Sequence, residues 1–78
     1  MRSSDPLVVA LQSSTLASAS YDASRSLLQL EFRSGSIYEY SEVPATVYQD
    51  LLNAESKGAY FNHSIRDSFP HLLIRPPR

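Results

Sequence analysis

Two groups of residues in this chain could do chemistry, and both are built for binding. The first is Tyr38-Glu39-Tyr40, two aromatic rings at strand spacing. Residues two apart on a strand share a face, so both phenols point the same way. Facing outward, they would form a platform on which bases stack, at about 1 to 3 kcal/mol per base. The second group is Lys57, Tyr60, Asn62, His63 and Arg66, which combines cations, donors and a ring around an expected helix start at Asn62. Helix N-termini favour anions, which makes this set a candidate phosphate contact. The plainer reading is that Asn62 caps, Arg66 snorkels or pairs with Asp67, and His63 is solvated.

Other chemistries find little footing. The chain has no cysteine, so thiolate catalysis, disulfides and Cys-based metal sites are excluded. Its two histidines, His63 and His71, show no metal-ligand spacing with the acids. Serine is abundant, but no Gly-x-Ser-x-Gly elbow appears, and the two glycines, Gly35 and Gly58, make no phosphate-cradling loop. The expectation is a non-enzymatic domain without metal or cofactor. Net charge is −1, without the basic excess of a dedicated nucleic-acid binder. The charge is unevenly spread: Arg2, Arg25 and Arg33 stand against seven acids up to residue 56, whereas Lys57, Arg66, Arg75 and Arg78 stand against Asp67 alone. This asymmetry allows a local anionic partner at the C-terminal end, against the plainer reading of solvated surface charge.

The elements that must position these residues follow from periodicity. At 78 residues the chain is read as one domain, 1–78, with one modest core. Leu7 to Leu11 is too short for a signal-peptide core or a spanning helix and reads as a strand, with cytoplasm as the default compartment and no membrane partner. Thr15 to Tyr21 alternates, with Ala17, Ala19 and Tyr21 expected on the core face and Leu16, Ser18 and Ser20 opposite. Asp22 to Ser26 is a turn by composition. Leu28, Leu30 and Phe32 then alternate with Gln29, Glu31 and Arg33, and Ser34-Gly35 turns the chain into Ser36 to Tyr40. Pro44 opens a helix with Val47, Tyr48, Leu51 and Leu52 on one face, and Lys57-Gly58 is expected to end it. A second helix is expected over His63 to Phe69, with Asn62 as its cap and Phe61 as a staple. His71 to Ile74 either adds a strand or lies over the core, ahead of an extended Arg75 to Arg78 tail. The fold class is α+β: an antiparallel meander of three to four strands, then two helices packed on one face.

The hairpin turn decides which way the tyrosines face. A three-residue loop, Arg33-Ser34-Gly35, sets Leu30 opposite Tyr38 and sends both tyrosines to the core. A two-residue Ser34-Gly35 turn sets Glu31 opposite Tyr38 and exposes them. The first register keeps the apolar residues together and puts glycine where a left-handed conformation is needed, so it is preferred.

Ser13-Ser14, Tyr21-Asp22, Leu28-x-Leu30-x-Phe32, Ser34-Gly35, Tyr38-x-Tyr40, Val43-Pro44, Val47-Tyr48, Leu51-Leu52, Ala54, Ser56, Gly58, Tyr60-Phe61-Asn62 and Ile65-Arg66 together resemble the KTSC domain. That family occurs at the C-terminus of some lysyl-tRNA synthetases and as stand-alone bacterial proteins. The resemblance covers 13–69 and leaves 70–78 as an extension. It implies a small binding domain with RNA, as tRNA or a single strand, as the suggested partner. The alternative is a protein-interaction or self-association module, motivated by the exposed sheet edge and by Leu72-Leu73-Ile74.

Overall fold

The computed structural model describes residues 8–78, which form one antiparallel sheet of five strands in the order β1-β2-β3-β4-β5, with helices against one face. The strands are β1 (Val9–Ala10), β2 (Leu16–Asp22), β3 (Leu27–Phe32), β4 (Ile37–Tyr40) and β5 (His71–Arg75). The helices, α1 (Ala45–Asn53) and α2 (Lys57–Tyr60), lie between β4 and β5, and a π-helical turn, Phe61–Ile65, continues α2. The expected α+β architecture is present, with β5 as an additional edge strand. The expected N-terminal strand is reduced to β1, and Leu7 lies outside the described residues. No helix among the described residues is long and apolar enough to cross a membrane.

Local chemistry makes both long hairpins. Between β2 and β3 the Asp22 carboxylate accepts from the Ser24 amide at 3.0 Å, the Ser24 hydroxyl at 2.7 Å and Arg25 Nε at 2.9 Å. The Ser24 hydroxyl first, and Arg25 next, hold this carboxyl at about 2, well below the usual carboxylate range. Between β3 and β4, Gly35 sits at φ 97°, its amide donates to the Phe32 carbonyl at 2.9 Å, and the Phe32 amide donates to Ser36 O at 2.9 Å. This is the three-residue loop. It pairs Leu30 with Tyr38 and Leu28 with Tyr40, so the tyrosines face the helices.

β2 departs from simple alternation. Leu16 pairs with Phe32 while Ser18 pairs with Glu31, so Ala17 is the extra residue of a bulge. The bulge turns Leu16 inward, against the expectation that Leu16 would share the outer face with Ser18. Leu16 is fully buried, together with Leu28, Leu30, Val43, Leu51 and Ile65. Tyr21 closes one flank of this core: its ring stacks on Tyr48 at 5.1 Å and its hydroxyl donates to the Val43 carbonyl.

The helix boundaries also differ from the sequence reading. α1 stops at Asn53, and Lys57-Gly58 begins α2 rather than ending α1. Ser56 decides this, because its hydroxyl accepts from the Ala59 amide at 3.2 Å as a helix cap. Gly58 is there for close approach: a Cβ on it would lie 2.8 Å from Thr15 Oγ1. Asn62 therefore falls inside the π turn and caps nothing, so the anion-binding helix start expected at Asn62 is absent. That turn, closed by Arg66 N donating to Phe61 O at 2.9 Å, keeps Phe61 and Ile65 in the core.

The C-terminal segment adds a strand. β5 pairs with β4, setting His71 opposite Tyr40 and Leu73 opposite Tyr38, with Ile74 as a bulge residue. Arg75 fastens its end, with Nε donating to Gly35 O at 2.9 Å and the guanidinium bridging to Glu31 at 3.0 Å. The Arg78 amide then donates to Ser34 O at 3.0 Å.

Candidate nucleic-acid interface

The strand period puts Tyr38 and Tyr40 on the helix side of β4, and β5 brings His71 beside them. With Phe32, Phe61, Arg66 and Asp67 these residues line a cleft of about 380 Å³. Its floor is a network of rings in mainly edge-to-face contact. Phe32 meets Tyr38 at 5.8 Å and Phe61 at 5.2 Å, and Tyr40 meets Phe61 at 5.8 Å. The His71 ring lies 5.8 Å from Tyr38 and 5.5 Å from Tyr40.

The two tyrosines have different roles. Tyr40 is scaffold, only 3% exposed, whereas Tyr38 is half-buried and offers part of its ring to solvent. The Tyr40 hydroxyl has no hydrogen-bond partner among the described residues, although its side chain lines the cleft. Burial, reinforced by nearby Tyr38 and Asp67 against the opposing pull of Arg66, pushes its ionisation up to about 12. The group is therefore a neutral phenol at physiological pH, with a proton to donate.

The five-residue set read from the sequence is divided in space. Lys57 and Asn62 line a separate polar cleft of about 460 Å³ with Gln12 to Thr15 and Glu55 to Ala59. The Lys57 ammonium is committed to the Ala54 carbonyl at 3.0 Å. Tyr60 is half-buried and His63 exposed, and neither lines either cleft. Arg66 alone joins the tyrosines. It is also the one cationic side chain among the described residues without a hydrogen bond or ion pair. Arg25 binds Asp22, Arg33 donates to Leu11 O and Ser13 O, and Arg75 and Arg78 meet Glu31 at 3.0 and 4.0 Å.

Sequence reasoning missed Phe32, Phe61, Asp67 and His71 as cleft residues. Phe32 and Phe61 read as core positions, and they are core as well as cleft floor. His71 could be found only from the pairing of β5, and Asp67 only from where the chain leaves the π turn.

The KTSC domain model matches residues 12–69. An uncharacterised protein of Stutzerimonas stutzeri is 52% identical over 54 residues, covering 69% of this chain and 76% of that protein. A lysine–tRNA ligase of Nostoc punctiforme is 45% identical over 58 residues, 74% of this chain but 10% of the ligase. The crystal structure of a KTSC domain protein from Yersinia pestis superimposes with a TM-score of 0.87 at 30% identity, covering 90% of this chain and 99% of that one. Sequence and fold agree, and the chain belongs to the KTSC domain family.

Proposed function

We propose that this domain is a non-enzymatic binder of single-stranded RNA, seating one base against the Tyr38 and His71 rings and one phosphate on Arg66. The observation that carries the reading is the aromatic cleft with a single unengaged guanidinium among the described residues at its side. Unpaired bases stack on tyrosine and histidine rings, and arginine takes phosphate oxygens in a two-pronged geometry. The occurrence of a homologous segment in a lysine–tRNA ligase, an enzyme named for a tRNA substrate, supports RNA as the polymer.

One base and one phosphate make a weak contact whose salt dependence is shallow. Log affinity falls with log salt at a slope of about −0.7 per phosphate on single strands, so raising salt from 50 to 200 mM weakens binding about threefold. Fluorescence anisotropy with a labelled mixed-sequence pentanucleotide reads this directly. Arg66→Gln is expected to flatten the slope to near zero. A slope several times steeper, or one unchanged in Arg66→Gln, places the contact elsewhere and overturns the reading.

A second reading, self-association through β5, is favoured by one observation. Leu72, Leu73 and Ile74 are 62%, 46% and 47% exposed on the edge strand. A mass that rises with concentration in light scattering would support it, and a constant monomer mass would remove it.

A further inference from the structure

We propose that the cleft selects guanine over the other three bases, an inference that rests on the RNA reading and names the base. Asp67 carries it. Its carboxylate lines the cleft and has no ion pair among the described residues, although Arg66 is its neighbour in the chain. An ionised carboxylate only accepts hydrogen bonds. Guanine is the one base whose Watson–Crick edge offers two adjacent donors, N1–H and the N2 amine, matching the two carboxylate oxygens. Adenine and cytosine set a ring-nitrogen lone pair beside their amine, and uracil flanks its single N–H with two carbonyls. Each of these turns an acceptor toward Asp67.

The Tyr40 hydroxyl is the independent second observation. Tyr40 as a residue is more than nine-tenths buried and lines the same cleft, and its hydroxyl is unpartnered among the described residues. A ligand acceptor in the cleft would give this donor the partner that the described residues do not supply. Guanine supplies acceptors at O6 and N7, on the side of the ring away from N2. Tyr40, Arg66 and Asp67 all line this one cleft. The volume of about 380 Å³ suits a single base. With one carboxylate beside one guanidinium, the cleft is poorly suited to a polyphosphate or an acidic peptide.

The test is an amide-shift titration of the labelled protein with UUGUU, UUAUU, UUCUU, UUUUU and UUIUU, where inosine lacks the N2 amine. A bidentate contact contributes discrimination of about tenfold. The expected result is UUGUU binding about tenfold tighter than the other three standard strands, with UUIUU losing most of that gain. Asp67→Asn, a surface change whose spectrum reports retained folding, should lose the preference while still binding. Equal shifts in the cleft with all five strands would overturn guanine selection and leave RNA binding standing. No cleft shifts with any strand at low salt would overturn both.

Discussion

Tyr40 shows how a side chain can be core and site together. Its ring holds β4 against Phe61, and its hydroxyl is left without a partner among the described residues. Tyr40→Phe breaks no hydrogen bond within the described residues, so it should stay within about 0.5 kcal/mol of the native protein in stability at pH 7 while binding RNA more weakly. The pH dependence has a definite sign. The folded phenol keeps its proton to about 12, whereas an unfolded tyrosine releases it near 10. Stability from this difference is complete below pH 10 and falls as pH rises toward 12, by about 1.4 kcal/mol per unit. Urea denaturation at pH 9 and 11 should show the native protein losing about 1 kcal/mol more than Tyr40→Phe. Equal losses would mean the phenol is not held neutral by burial. The tyrosine pair was visible in the sequence because two rings at strand spacing are unusual. The cleft residues Asp67 and His71 were not, since their positions depend on a pairing that begins after Pro70 and contains a bulge.

Among the elements, regular periodicity was legible and its interruptions were not. The Leu28 to Phe32 alternation and the hairpin register followed from period and turn chemistry, and both are observed. The β2 faces were misassigned around Leu16 because alternation has no means of registering one extra residue, and Ala17 supplies it. Lys57-Gly58 carried the chemistry of a helix end, yet Ser56 turned it into a helix start. Gly58 offers a test of that geometry. Alanine is the better helix former by about 1 kcal/mol, but its Cβ would press within 2.8 Å of Thr15 Oγ1. Gly58→Ala is expected to be net destabilising by about 1 kcal/mol in urea denaturation, with Thr15→Ala recovering part of the loss in the double variant. A stabilised Gly58→Ala would contradict the close approach of α2 to the loop before β2.

One sheet face is covered by helices, and among the described residues no element covers the other, which carries Ser18, Ser20, Gln29, Glu31 and Ile37. The α+β class and helix layer followed from the order of elements, whereas the fifth strand stood as one of two readings of the C-terminal segment. Charge pairing differs between the two faces. Glu31 on the open face accepts Ser18 and binds Arg75, while Arg66 remains unengaged among the described residues on the cleft side. In a chain of net charge −1 whose other described cations are internally bonded, the proposed RNA contact would draw on one cation, Arg66. The most direct measurement is the amide-shift map of the labelled protein during titration with mixed-sequence single-stranded RNA at low salt. The account predicts shifts centred on Tyr38, Tyr40, Phe61, Arg66 and His71. Shifts confined to the open sheet face or to the outer edge of β5, or no shifts at high protein concentration, would contradict it.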